Sequence, residues 1–212
     1  MKLRTPSQFT DKINQNLAHR KRELSSLLNH VSRARIHEVE PVSKAAVCLL
    51  YAHWEGFVKY GGTCLANFVA FKGISISALS NGFIAACVQQ KLKQVRGTKK
   101  ISIAREYVEL VRHPNAGLGP LKWDSVIETH DNLNMDSLKE ILELVGCDDS
   151  FYQTKKGVID SQLVHYRNSI AHTGYSDFDP NDYPRLHAET LALIEKFRDD
   201  LEDSVSSRLF EI

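Results

Sequence analysis

The chain of 212 residues has a formal net charge of +1, with 27 Lys and Arg against 26 Asp and Glu. A chain of this length can bury a real core, and we expect one domain over residues 1–212. The longest uncharged stretch, residues 73–90, contains Ser, Asn and Gln and is too polar to span a bilayer. No apolar run follows the first residues, as a secretory signal would require. We therefore expect a cytoplasmic protein without a membrane segment.

Charge is unevenly spread along the chain. Residues 1–44 hold nine Lys and Arg against four Asp and Glu, and residues 89–112 hold seven against two. Residues 123–150 hold one against eight, and residues 176–212 hold four against ten. The pattern predicts either separate basic and acidic faces, the basic one suited to RNA, or charges that folding mixes again.

Hydrophobic periodicity predicts helices and no convincing strand, so the expected fold class is all-α. The predicted core helices cover about residues 7–37, 43–72, 154–173 and 182–205. The intervening residues 74–153 resemble a helical insertion, with helices expected over 77–94, 101–112 and 135–145. Pro41 is expected to separate the first two core helices.

The second core helix is apolar on nearly every side, which is typical of a helix at the centre of a bundle. Its glycines at positions 56, 61 and 62 indicate close helix packing. Glu55 lies on this mostly apolar helix and needs a partner. Lys59, at i+4, is the local candidate, and Arg167 is the functional candidate that we favour.

Basic side chains cluster at two further places. Arg20, Lys21 and Arg22 lie in the middle of the first predicted helix, and Lys99 and Lys100 lie in a predicted loop. Such runs are often solvated surface, but in an RNA-binding protein they are candidates for phosphate contacts, which add affinity without sequence specificity.

Three polar residues stand near the end of the third core helix. Arg167 offers a planar fork of donors that fits phosphate oxygens, and His172 can give or take a proton near neutral pH. Asn168 can orient either group, and Gly174 is expected to end the helix. These types suit cleavage of an RNA phosphodiester by its own 2′-hydroxyl, without a metal.

The helix itself separates Arg167 from His172. At about 100° per residue, the two side chains point about 140° apart, whereas Asn168 and His172 share a face. A joint site therefore needs the Arg side chain to bend round, the last turn to unwind, or a second copy of the helix. The last option predicts a dimer with the site at its interface.

The segment from Arg167 to His172 resembles the Arg-x(4–6)-His signature of HEPN domains, in which the residue after the Arg is typically Asn, Asp or His and here is Asn168. A second segment, residues 51–59 (Tyr-Ala-His-Trp-Glu-Gly-Phe-Val-Lys), resembles the second helix of a bacterial HEPN-like nuclease subgroup. The resemblance implies an α-helical dimer that cuts RNA without a metal or another cofactor, often as a toxin or antiviral effector with an antitoxin or regulatory partner. The alternative is a non-catalytic HEPN-like module that binds a nucleotide or a partner.

The resemblance also implies roles for single residues. His172 would be the general acid and base, Arg167 would bind the phosphate, and Asn168 and Glu55 would orient them. Toxins of this superfamily that are silenced by nucleotide transfer usually carry a Tyr two residues after the motif His. Here Tyr175 comes third, so the sequence departs from that pattern.

Other chemistries find little support in the residue patterns. His165 and His172 share a helix face but lie about 10 Å apart along it, too far to chelate one ion together. The sequence contains no His-Glu-x-x-His, no phosphate-binding Gly-x(4)-Gly-Lys-Ser/Thr and no Gly-x-Ser-x-Gly. The four cysteines form no Cys-x-x-Cys pair, and three of them lie in apolar helical contexts, which are typical of buried free thiols. We therefore expect no metal and no cofactor.

Overall fold

The computed structural model describes residues 3–113, 127, 129 and 132–212. In chain order its helices are α1 (Pro6–Ser32), α2 (Val39–Lys72), α3 (Asn81–Arg96), α4 (Ile101–Arg112), α5 (Met135–Val145), α6 (Ser150–Thr154), a π-helix (Gly157–Val164), α7 (His165–Thr173) and α8 (Tyr183–Ser206). Within those described ranges, the one β-type contact is an isolated bridge between Leu79 and Glu211. The predicted all-α class is confirmed.

The three longest helices, α1, α2 and α8, pack on one another, and α2 also contacts α7. The apolar stripe of α1 is buried at Phe9, Ile13, Leu17, Leu24 and Val31. On α8 the buried apolar residues include Leu186, Leu193, Ile194, Phe197, Leu201 and Val205. The edge-on contacts of Trp54 and Phe57 with Phe197 join α2 to α8. The predicted central position of α2 is therefore confirmed.

Close packing at the α2 glycines is also confirmed. A Cβ atom added at Gly61 would clash with Leu201 of α8, and one at Gly62 would lie 2.8 Å from the Ile127 Cδ1 atom. Side chains at these positions would force the neighbouring elements apart. The helix therefore tolerates the low helix propensity of glycine here in exchange for tight contacts.

The first helix boundary differs from the prediction. The helix α1 ends at Ser32 instead of residue 37, and α2 begins at Val39, so Pro41 lies inside its first turn. Proline is tolerated there because the first N–H groups of a helix have no partner within the helix. The break between α1 and α2 therefore comes before Pro41.

A second correction concerns the helix expected from residue 77. The chain forms a short 3-10 turn over Ile76–Ala78, and α3 starts only at Asn81. Between them, Leu79 and Ser80 are extended because the carboxyl-terminal residues pair with this segment: the Ser80 N–H donates to the Phe210 carbonyl at 2.8 Å. The helices expected over 101–112 and 135–145 match α4 and α5 and are confirmed.

The third predicted core helix is not one regular α-helix. Helical structure already begins at Ser150 with α6 and continues through the π-helix Gly157–Val164 and α7, whose last residue, Thr173, agrees with the prediction. The buried residues Ile159 and Leu163 lie on the π-helix, whereas α7 has no buried residue. Each π turn takes more residues than an α turn, and such turns recur at functional sites. The fourth predicted core helix corresponds to α8.

Candidate functional site

The Arg167 side chain of α7 is held against α2. Its guanidinium carbon lies 4.6 Å from the centroid of the Tyr51 ring, within the range of a cation–π contact. Its Nη1 atom donates a hydrogen bond to the Asn168 Oδ1 atom at 2.6 Å. Arg167 and Asn168 are both only half-buried. The Arg167 guanidinium is therefore oriented by α2 and by Asn168 while part of the side chain stays accessible to solvent.

Tyr51 supports this arrangement from the core. The residue is 2% exposed, and its hydroxyl accepts a hydrogen bond from the Leu133 N–H at 2.8 Å. Burial raises the pKa of the Tyr51 hydroxyl, and the nearby Glu55 carboxylate adds to that rise. The hydroxyl therefore stays protonated and ties the chain just before α5 to α2. The segment 51–59 singled out in the sequence begins with Tyr51, but nothing in the sequence indicated that this residue supports Arg167.

The Glu55 carboxylate has a different partner from the one we favoured. Its Oε1 atom lies 3.0 Å from the Lys59 Nζ atom and accepts a hydrogen bond from the Thr129 hydroxyl at 2.6 Å. Lys59 lies one turn along the same helix face, whereas the Arg167 guanidinium is stacked on Tyr51. The observed ion pair is therefore the one between Glu55 and Lys59, the local candidate, and not the one with Arg167. An orienting role for Glu55 would act through Tyr51 and remains a prediction.

His172 lies in the last turn of α7 and is exposed. In the described part of the chain, no hydrogen bond, ion pair or ring contact engages its imidazole. The helix ends as predicted, since Gly174 adopts a left-handed conformation with φ of 70° and its N–H donates to the Ile170 carbonyl at 3.0 Å. Arg167 thus faces α2 while His172 faces outward, in line with the angular separation expected from the helix.

The turn after His172 is fixed by contacts that sequence reasoning missed. The Thr173 hydroxyl donates to the Ser169 carbonyl at 2.7 Å and accepts from the Tyr175 N–H at 3.1 Å. The Lys44 Nζ atom of α2 donates to the Gly174 carbonyl at 3.2 Å. A Lys on an apolar helix carries no local signal of a contact 130 residues away. The end of α7 is thus anchored to α2 by Lys44.

The basic candidates separate into two kinds. Arg20 is half-buried and donates from Nε to the Asn16 Oδ1 atom at 2.7 Å and from Nη1 to the His53 carbonyl at 3.0 Å. Lys21 forms an ion pair with Glu195 of α8, so folding brings a residue of the basic amino-terminal segment next to one of the acidic carboxyl-terminal segment. Arg20 and Lys21 are therefore engaged within the fold.

The remaining basic candidates are Arg22, Lys99 and Lys100, and all three are exposed. Across the described residues, no hydrogen bond or ion pair connects any of the five basic candidates to α7. The structure thus brings together Arg167, Asn168 and the Tyr51–Glu55 face of α2, and it leaves the basic candidates on α1 and in the α3–α4 loop.

Two further observations concern the described residues alone. No group of three or more His, Cys, Asp or Glu side chains is placed there to hold a metal ion. None of the helices found there combines the length and the apolar character needed to cross a membrane.

Fold and site together define an α-helical protein whose Arg-Asn-x(3)-His segment lies on a surface helix with an exposed His. The family model described as HEPN_MAE_28990-like HEPN matches residues 9–210. The chain therefore belongs to this HEPN family. A search of curated proteins and a search of solved structures each returned no match.

Proposed function

We propose that this protein is a metal-independent endoribonuclease. The observation that carries the proposal is the Arg167 guanidinium, which is stacked on buried Tyr51 and bonded to Asn168, with the exposed imidazole of His172 in the last turn of the same helix. An oriented donor fork and an accessible titratable group are the two functions that RNA cleavage by the 2′-hydroxyl needs. Membership of a HEPN family supports the same reading.

The proposed reaction uses only RNA and protein groups. The 2′-oxygen attacks the adjacent phosphorus, the bond from phosphorus to the 5′-oxygen breaks, and the products carry a 2′,3′-cyclic phosphate and a 5′-hydroxyl. A neutral His172 imidazole takes the 2′-hydroxyl proton, and a protonated imidazole gives a proton to the leaving 5′-oxygen. Arg167 stabilises the charge that grows on the phosphate oxygens, and Asn168 holds the guanidinium in place.

A second copy of the chain would complete this site. One imidazole cannot be protonated and neutral at once, and the Arg167 and His172 side chains of one copy point away from each other. The surface beside α7 is suited to self-association, since α7 has no buried residue and Leu49 on neighbouring α2 is 46% exposed. Ala52, which follows Tyr51 at its contact with Arg167, is also exposed, as is Ala45, which follows Lys44 at its contact with Gly174 just after α7. We therefore propose a homodimer formed through the motif helices.

The biological role that we propose is that of a cytoplasmic toxin or antiviral effector held in check by an antitoxin or another regulatory partner. Exposed Arg22, Lys99 and Lys100 are the proposed phosphate contacts along the RNA. Arrest of growth on expression of the wild type, and normal growth with His172→Ala, would support this role.

The direct test is cleavage of single-stranded and structured RNA in EDTA by the wild type, Arg167→Ala and His172→Ala. His165→Ala is the matched control, because His165 is an exposed residue on the same helix. We expect cyclic phosphate ends from the wild type and the control, and loss of cleavage in folded, dimeric Arg167 and His172 variants. Light scattering and circular dichroism check assembly and folding.

Cleavage by His172→Ala at the wild-type rate would place the site elsewhere. If the wild type cuts no RNA in any form, the non-catalytic binding module becomes the better interpretation. A folded monomer that cleaves at full rate would overturn the proposed dimeric site alone.

A further inference from the structure

Tyr175 is an unusually exposed aromatic residue beside the proposed site. Its side chain is 69% exposed, whereas the other six tyrosines of the chain, all of them described, are buried or half-buried. It follows His172 by three residues, which limits the distance between their Cα atoms to about 11 Å.

Contacts from Thr173 and Lys44 hold Tyr175 in place. The Thr173 hydroxyl accepts a hydrogen bond from the Tyr175 N–H at 3.1 Å. The Lys44 Nζ atom lies 5.7 Å from the centroid of the Tyr175 ring and also donates to the Gly174 carbonyl. Backbone and ring are therefore both constrained, while most of the ring surface stays open to solvent.

We propose that Tyr175 is the stacking platform for a nucleobase of the RNA strand that crosses His172. A flat, held aromatic side chain binds single-stranded RNA by stacking, and every base has a face that can stack on it. Lys44 beside the ring is already paired with the Glu40 carboxylate at 2.7 Å, so it holds the ring in place and is not counted as a phosphate contact. The platform would favour unpaired RNA over duplex with little preference for sequence. This inference rests on the proposed RNA-cleaving function, because it specifies how that site holds its substrate.

The test measures binding separately from cleavage. The probe is a single-stranded, fully 2′-O-methylated oligonucleotide that cannot be cut and that carries 2-aminopurine, whose fluorescence falls when it stacks. Tyr175→Ala should weaken binding by about 5- to 150-fold and abolish the fluorescence loss, since one stacked base contributes to binding on that scale. Tyr175→Phe keeps the ring and should bind like the wild type.

Phe71→Ala is the matched control. Phe71 is also an exposed aromatic, 43% exposed, with the Arg4 guanidinium 5.2 Å from its ring centroid. It lies in the last turn of α2, about 40 Å along that helix from Lys44. This variant should leave the affinity for the oligonucleotide unchanged.

Two results would overturn the platform: equal binding by Tyr175→Ala and the wild type, or equal weakening by Tyr175→Phe and Tyr175→Ala. The second result would assign the effect to the hydroxyl. If the platform fails while wild type still cuts RNA and His172→Ala does not, the nuclease proposal stands without it. With cuttable RNA, Tyr175→Ala should raise KM by the same factor and leave kcat unchanged, because stacking holds ground state and transition state alike.

Discussion

The Arg167 guanidinium carbon lies 4.6 Å from the centroid of the Tyr51 ring, so a buried residue of α2 sets the position of a motif residue on α7. The relationship separates two functions of one tyrosine. The ring supports Arg167, and the hydroxyl accepts the hydrogen bond of the Leu133 N–H. A substitution that removes only the hydroxyl and one that removes the ring as well should therefore have different effects.

Tyr51→Phe should lower the free energy of unfolding by about 1–3 kcal/mol, because the buried Leu133 N–H loses its acceptor. RNA cleavage by the folded variant should stay close to wild type, since the ring remains. Tyr51→Leu should lose comparable stability and also lower kcat/KM by about tenfold or more, the scale of one lost orienting contact worth about 1.4 kcal/mol. Urea unfolding and cleavage rates measure the two effects. Equal activity of Tyr51→Leu and Tyr51→Phe would contradict the role of the ring.

The Glu55–Thr129 hydrogen bond should be a stability contact more than a catalytic one. Thr129 is 2% exposed and its hydroxyl donates to the Glu55 carboxylate at 2.6 Å. A double-mutant cycle with Glu55→Ala and Thr129→Val, each of which removes the bond, should give a coupling free energy of about 1.5–3 kcal/mol in urea unfolding, the range for hydrogen bonds to charged groups.

Lys59→Ala is the comparison for that cycle, because the Lys59 side chain is 47% exposed and pairs with Glu55 across one helical turn. It should cost only about 0.3–0.5 kcal/mol. If Glu55→Ala keeps full stability but stops RNA cleavage, Glu55 acts on the chemistry and the stability interpretation is wrong.

Stability should fall on acidification because of buried His187. This residue is 6% exposed, its Nε2 atom has no hydrogen-bond partner among the residues that the structure describes, and burial lowers its pKa, which the Leu24 backbone partly opposes. In the unfolded chain a His takes up a proton near pH 6.5, whereas the folded protein resists it to lower pH. The free energy of unfolding should therefore be highest above that pH and decline as pH falls below it.

The variant His187→Leu should lose less stability than the wild type between pH 7.5 and 5.5, measured by urea unfolding at each pH. Some loss should persist, since burial and then Arg20 also lower the pKa of His53. His30→Gln, at an exposed position of α1, should follow the wild-type curve. A His187→Leu curve parallel to the wild-type curve would show that this imidazole does not govern the acid response.

Gly82 should not accept even one added methyl group. A Cβ atom there would lie 2.5 Å from the Glu143 carbonyl oxygen, in the backbone where α5 approaches α3. Gly82→Ala should therefore lower the free energy of unfolding by about 1–3 kcal/mol, as overpacking does. Gly157→Ala is the matched change, because nothing lies within 4 Å of the added atom and φ there is not positive. It should be neutral or slightly stabilising, and equal thermal shifts for both variants would contradict the argument.

Some of the fold could be predicted because its signals are local. The helix α5 starts and ends where predicted, since an amphipathic run lies between Asn134, which caps it, and Gly146, which ends it in a left-handed conformation. The extended link before α3 could not be predicted, because it depends on a hydrogen bond to Phe210, far along the chain. Hydrophobic periodicity could not predict the π-helix before α7 either, since its apolar residues fit the spacing of an α-helix equally well.

In the candidate site, too, the local features could be predicted and the partners from distant parts of the chain could not. The sequence alone determined that Arg167, Asn168 and His172 occupy the last turns of one helix that ends at Gly174, because backbone geometry over a few residues is local. Only the tertiary structure decided that Tyr51 supports Arg167, and that Glu55 pairs with Lys59 and Thr129. Such partners depend on how α2, α7 and the chain before α5 pack together, and packing is a property of the whole chain that no short pattern encodes.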